Sequence, residues 1–150
     1  MGALSSMFSP FGNELHMKIK HMLELADVRA MAQAAEAEAQ RHGWAVTIAI
    51  VDDGGHLLWL QRLDGAAAIS VQIATGKAHT ATLGRRESKD YEEMIKGGRT
   101  AFLSAPGVQA LLEGGVPVMR EGQCLGAVGV SGVKSNEDAQ VARAAIAALG

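Results

Sequence analysis

The sequence has little of what several large protein classes require. Its 150 residues include a single cysteine, Cys124, which excludes an intramolecular disulfide and a cluster of thiolate metal ligands. No stretch reaches the ~20 apolar residues that a membrane-spanning helix needs. The formal net charge is −2 and the basic residues are scattered, unlike the basic stripe of a nucleic-acid-binding surface. We therefore expect neither a membrane nor a nucleic acid as a partner.

The beginning of the chain also lacks the charged and then apolar order of a secretory signal. This absence predicts a cytoplasmic protein. Met17 opens the sequence Met17-Lys18-Ile19-Lys20, which resembles a second translation start. We therefore expect residues 1–16 to be an extension, either without regular structure or foreign to the natural protein, and residues 17–150 to form the domain.

The remaining composition is typical of one globular domain, with 48% hydrophobic and 20% charged residues. From Leu25 to His42, apolar residues recur at helical spacing in an alanine-rich segment, which predicts an amphipathic helix. The run 44–51 is rich in β-branched residues, and the run 56–63 alternates. Because the turn residues Asp-Asp-Gly-Gly separate these two runs, they are predicted to form a β-hairpin.

The second half of the chain is predicted to begin with two helices, one from Asp64 to Gly84 and a shorter one from Ser88 to Gly97. A final helix is predicted from Ser135 onward. Between them lie three short apolar segments with the pattern of strands, at 108–112, 116–120 and 123–130. Helices and strands arrive in blocks instead of alternating, which predicts a single α+β domain.

A glycine series in the last of these segments does not match a known phosphate-binding motif. Gly126, Gly129 and Gly132 lack the G-x-G start of a dinucleotide-binding fingerprint. We interpret them as strand positions where a neighbouring element can approach the backbone closely. Ser131 does not fit the nucleophile-elbow pattern G-x-S-x-G, so its hydroxyl is interpreted as a turn or ligand-binding group instead of a nucleophile.

The histidines form no H-E-x-x-H pair, so no zinc site is predicted. His42 precedes a helix-ending glycine and His16 lies in the extension, which leaves His21, His56 and His79 as candidates.

His79 stands out because Lys77 and Thr80 place a cation and a hydroxyl beside its imidazole on one short stretch. An ordinary structural histidine remains the alternative. Arg62 and Asp64 are further candidates for ligand binding, since they follow a strand where side chains often converge on a cleft.

Five segments in order resemble the HbpS/GlcG-like family of haem-binding proteins. They are A-I-V-D with G-G at 49–55, R-L-D-G-A at 62–66, K-A-H-T-A at 77–81, E-G-G-V-P at 113–117 and G-A-V-G-V-S-G at 126–132. The resemblance implies a profilin-like domain, in which helices flank a central, largely antiparallel, five-stranded sheet. It also implies a homo-oligomer that binds haem or a related tetrapyrrole as an accessory protein. Related domains occur at the C-terminus of PduO-type cobalamin adenosyltransferases.

A haem site needs an axial donor, apolar walls and cations that meet the propionates. The resemblance assigns His79 as the possible axial ligand, with Lys77 and Arg85 near the propionates. The walls would be mostly aliphatic, because the aromatic residues outside the extension are only Trp44, Trp59, Tyr91 and Phe102.

Two other functions stay open. One is a small metabolic enzyme acting on a carboxylate-bearing catabolic intermediate. In it Arg62 and Lys77 would anchor the carboxylate in a pocket shared with Asp64, while His79 or Glu113 would move a proton. The other is a structural subunit whose glycine-rich strand and alanine-rich helices serve assembly. The sequence does not decide whether the protein is an enzyme.

Overall fold

The computed structural model describes residues 16–150, so the predicted extension lies almost entirely outside the described residues. The first element is helix α1, Leu25–His42, whose buried residues Val28, Met31 and Ala35 recur at helical spacing. It ends at Gly43, which adopts a left-handed conformation with a φ of 68°. The predicted first helix is confirmed.

Four strands form one antiparallel sheet in the order β2-β1-β4-β3. They are β1 (Thr47–Asp52), β2 (Leu57–Arg62), β3 (Gly115–Arg120) and β4 (Gln123–Ser131). Strands β1 and β2 form the predicted first hairpin, and β3 and β4 form the second. The α+β class is confirmed.

The prediction of a five-stranded sheet is wrong, because residues 16–150 contain a sheet of four strands. Segment 108–112, which has a strand-like pattern, is a loop. Its backbone groups are engaged elsewhere, because the Thr80 hydroxyl bonds both the N–H and the carbonyl of Gln109. Leu112 donates to the Ala110 carbonyl across a tight turn, and Ala110 has a positive φ of 45°. A strand cannot accommodate that conformation.

The described part of the chain has three more α-helices, α2 (Ser70–Gly84), α3 (Ser88–Lys96) and α4 (Ser135–Ala147), and a short 3-10 helix at Thr100–Ser104. Helix α2 begins at Ser70, and not at Asp64 as predicted. Gly65 adopts a φ of 89°, which interrupts the helical path after Asp64. Within residues 16–150, none of the helices combines the length and hydropathy needed to cross a bilayer.

The sheet carries helices on both faces. Helices α1 and α4 cover one face, called the α1/α4 face, where Met31, Ile48 and Ile50 lie at the centre of the larger core. Helix α2 covers the opposite face, called the α2 face, and lies over β4 and β1. Among residues 16–150, the hydrophobic core of the α2 face consists of alanine and valine: Ala49, Val51, Ala74, Ala78, Ala81 and Ala127.

Candidate functional site

Lys77 lies inside the fold. Its ammonium donates to the Val130 carbonyl at 2.9 Å and to Asp138 Oδ2 at 3.0 Å, and the two side chains are 3% and 2% exposed. The second carboxylate oxygen of Asp138 accepts the Val133 N–H at 3.1 Å. Burial raises the pKa of the Asp138 carboxyl, and the Lys77 charge opposes that shift. This ion pair connects α2 with the first turn of α4.

His79 packs against the turn between β1 and β2. Its Nδ1 lies 3.5 Å from the Gly55 carbonyl, and a Cβ on Gly55 would come within 2.6 Å of the same atom. The ring is half-buried. The glycine at position 55 thus makes room for the imidazole.

The other predicted ligand-binding residues lie in different parts of the molecule. Arg62 and Asp64 line an open cleft of about 500 Å³ with Trp44, and Arg62 Nε donates to the Ala66 carbonyl at 2.9 Å. Arg85 follows α2 and lines another cleft of about 440 Å³.

Ser131 is buried at the end of β4, opposite Thr47. The Glu113 N–H donates to Glu92 Oε2 at 3.0 Å. Within residues 16–150, no hydrogen bond or ion pair joins Arg62 to Lys77, His79 or Glu113.

A more apolar cavity of about 300 Å³ lies between segment 21–23, strand β3 and the end of α4. Its apolar walls include Leu23, Val118, Leu125, Ile146 and Leu149. Its polar and sulfur-bearing lining consists of His21, Met22, Asp27, Met119 and Arg120, and the Asp27 carboxylate accepts the Glu24 N–H. This size falls at the lower end of the range of small-molecule sites, which are mostly apolar with a few placed polar groups.

The imidazole of His21 is oriented by Gln123 at the start of β4. The Gln123 Oε1 accepts the backbone N–H of His21 at 2.9 Å and lies 3.1 Å from its Nδ1. The amide nitrogen of Gln123 donates to the Ile19 carbonyl at 2.9 Å. The amide oxygen is therefore the atom that faces His21. Because an amide oxygen only accepts, this contact selects the tautomer of the neutral ring that has its proton on Nδ1 and its lone pair on Nε2. A fixed second nitrogen is typical of metal-binding histidines.

Sequence reasoning kept His21 as one of three candidate histidines but did not place it in a site. Residues 16–24 have no regular secondary structure, so no periodicity shows which residues they contact. The partner, Gln123, is about 100 positions away in the sequence. Only the folded chain brings the two together.

Comparisons with known proteins agree with this architecture. Protein GlcG of Escherichia coli K12 is 54% identical over 115 residues, which cover 77% of this chain and 85% of GlcG. The crystal structure of a double mutant of Streptomyces reticuli HbpS is 29% identical with a TM-score of 0.81, covering 100% of this chain and 99% of that one.

A crystal structure of a PduOC:heme complex is 28% identical with a TM-score of 0.76, covering 85% of this chain and 95% of that one. The family model described as "Haem degrading protein HbpS-like" matches residues 23–147, which include both sheet faces and most of the cavity beside His21. The chain therefore belongs to the HbpS-like family.

Proposed function

We propose that this protein binds haem or a related tetrapyrrole in the cavity beside His21 and acts as a homo-oligomeric accessory protein. The observation that carries the proposal is an imidazole that lines a partly apolar cavity and contacts Gln123 through Nδ1, which leaves Nε2 for a ligand. The similarity to a haem complex of PduOC supports the class of ligand. Membership of the HbpS-like family supports it as well.

The residues around the cavity fit such a group. His21 would donate its Nε2 to the metal, and Val118, Leu125 and Ile146 would cover part of the macrocycle. Arg120 donates to the carbonyls of Leu149 and Gly150 through Nη2 only, so its other N–H groups can bind a propionate. Met22 and Met119 are exposed beside the cavity and would gain burial from the ligand. Bound haem would supply an iron centre, and His21 would supply an imidazole ligand to it.

His79 remains the competing axial donor, with Lys77 and Arg85 near the propionates. Lys77 already makes two hydrogen bonds inside the fold, and His79 packs against Gly55. The arrangement at His21 requires no rearrangement of a buried ion pair. We therefore place the ligand at His21.

Titration of the purified protein with haemin, followed by absorption in the Soret region, tests the proposal. We expect saturable binding, with the dissociation constant raised at least tenfold by His21→Ala and left unchanged by His79→Ala. His42→Ala is the matched control, because His42 is an exposed histidine that contacts Glu38 and not the cavity. Gln123→Ala should give an intermediate loss, since the tautomer of His21 is then no longer held.

The opposite result, with His79→Ala weakening binding and His21→Ala neutral, would contradict the proposed site. Non-saturable binding that is equal in every variant would contradict haem as the ligand.

A further inference from the structure

A second cleft, of about 440 Å³, shares no lining residue with the cavity beside His21. Its walls are segment 18–20, the end of α2 and the turn between β3 and β4. Its charged side chains are Lys18, Lys20, Arg85 and Asp53, so it has three cations and one carboxylate. A cleft with an excess of one charge concentrates ions of the opposite sign. This cationic cleft therefore favours an anion.

Two of the three cations have no opposing charge. The Lys20 ammonium lies 2.5 Å from Asp53 Oδ2, which uses the only carboxylate among residues 16–150 that lines the cleft. Lys18 and Arg85 are exposed, and in the described part of the chain their side chains make no hydrogen bond or ion pair. Their positive charges repel each other, and a dianion would neutralise both.

The backbone of Arg85 adopts a conformation that favours glycine. Its φ of 54° and ψ of 38° are left-handed, although Gly84 directly precedes it. The carbonyls of Ala81 and Thr82, at the end of α2, accept the backbone N–H groups of Arg86 and Arg85. The helix end thus does not need the Arg85 side chain. A strained backbone that carries an unpaired side chain at a cleft is typical of a functional position.

The remaining lining leaves room for an organic part of the ligand. Small-molecule sites have volumes of roughly 300 to 1,000 Å³, and the cationic cleft falls within this range. Ile19 and Leu83, which are 89% and 48% exposed, also line it. Contact with an organic group would reduce the exposure of these two apolar side chains.

We propose that the cationic cleft binds a small organic dianion, whose phosphate or carboxylate oxygens pair with Arg85 and Lys18. A guanidinium forms two parallel hydrogen bonds with either group, and an ammonium adds a point charge. The inference goes beyond the proposed function, because it gives the protein a second ligand at a site separate from His21. It also uses Arg85 for that ligand instead of for the haem propionates.

Thermal unfolding in a concentration series of glycerol phosphate, and separately of succinate, tests this site, with the ionic strength held constant by sodium chloride. A ligand that binds only the folded protein raises Tm in a saturable way. We expect this rise with at least one probe, and that probe identifies phosphate or carboxylate as the recognised group. Inorganic phosphate that binds as tightly as glycerol phosphate would overturn the organic part of the ligand.

Arg85→Gly separates binding from folding. We expect it to raise the dissociation constant of the probe at least tenfold, and Lys18→Ala to raise it by a smaller factor. Without a probe, Arg85→Gly should unfold at a temperature no lower than that of the wild type, because glycine adopts the left-handed conformation without strain. A purely structural role for Arg85 would instead lower that temperature.

Lys89→Ala is the matched control, because it removes the same charge outside the cleft, where Lys89 pairs with Glu93. Equal effects of Lys89→Ala and Arg85→Gly, or no saturable rise with either probe, would overturn the site. Weaker haemin binding by Arg85→Gly would assign Arg85 to the propionates and overturn the separate site. A failure of haemin to bind at His21 would leave the Tm results with the two probes unchanged.

Discussion

The two faces of the sheet are stabilised in opposite ways. On the α1/α4 face, long side chains such as Met31, Ile48 and Ile50 fill the space between the layers. On the α2 face, the backbones themselves approach each other. A Cβ on Gly129 would lie 2.1 Å from the Ala74 carbonyl oxygen, and one on Gly115 would lie 2.2 Å from the Lys77 carbonyl oxygen.

This difference decides which substitutions each face tolerates. Interiors are close-packed, so a face filled by side chains loses stability when atoms are removed. A face formed by close backbone approach loses stability when atoms are added. The α2 face also carries the buried ion pair of Lys77 and Asp138, and the α1/α4 face is aliphatic at its centre.

The largest expected effect comes from adding one methyl group to the α2 face. Gly129→Ala would force α2 away from β4, because the atoms in the way are the Ala74 carbonyl and the Ala78 N–H. We expect a loss of more than about 5 kcal/mol in the free energy of unfolding, enough to prevent folding of a typical domain. Soluble yield and circular dichroism measure it. Gly97→Ala, at a helix end with a φ of −75°, is the control and should fold. A stable Gly129→Ala protein would show that the backbones of α2 and β4 do not approach each other closely.

Breaking the buried ion pair should have the next largest effect. Lys77→Met leaves Asp138 buried without its cation, which should cost about 3–5 kcal/mol in urea unfolding. Adding Asp138→Asn should recover part of that loss, since the amide oxygen can still accept the Val133 N–H. Equal stability of the single and double variants would show that the unpaired charge is not the cause.

The pH dependence of Lys77→Met gives an independent check. Burial raises the pKa of Asp138 above its unfolded value, so the protonated carboxyl favours the folded state and the advantage is lost as pH rises through the folded pKa. The cost of Lys77→Met should therefore shrink as pH falls from about 7 toward about 5. A cost that grows on acidification would contradict the assigned direction.

Removing atoms from the α1/α4 face should cost somewhat less. Met31→Ala leaves a cavity in the larger core and should reduce the free energy of unfolding by about 2–5 kcal/mol. Met31→Leu nearly conserves the volume and should cost less than about 1.5 kcal/mol. Urea denaturation of both variants measures the contrast, and equal losses would argue against close packing at this position.

The smallest expected effect concerns the exposed ion pair of Lys20 and Asp53, a surface counterpart of Lys77 and Asp138. The hydrogen bond from Lys20 lowers the pKa of Asp53, so this pair contributes stability above the unfolded pKa and loses it as pH falls through the folded pKa. Because the pair is exposed to solvent, Lys20→Met should lower the stability only slightly at neutral pH, less than any other destabilising substitution proposed above. The cost should vanish in acid, because a protonated Asp53 no longer pairs with Lys20. A cost that persists below about pH 2, where the carboxyl is protonated, would point to a packing effect.

Much of this architecture was predictable because the signals are local. The helical spacing of Val28, Met31 and Ala35 predicts α1, and the turn glycines predict both hairpins. Gly129 was correctly interpreted as a place of close backbone approach. The segment 108–112 was misread, since its apolar residues resemble a strand while its backbone bonds to Thr80. Those bonds come from a distant helix, which no local pattern shows.

The sequence by itself determined the order of helices and hairpins, the α+β class and the resemblance to the HbpS/GlcG-like family, since periodicity, turn chemistry and ordered motifs are all local properties. Only the tertiary structure decided that Lys77 has Asp138 as its buried partner and that Gln123 orients His21 beside an apolar cavity. In each case the two partners are far apart along the chain. Their meeting depends on how the layers pack, which no local pattern records.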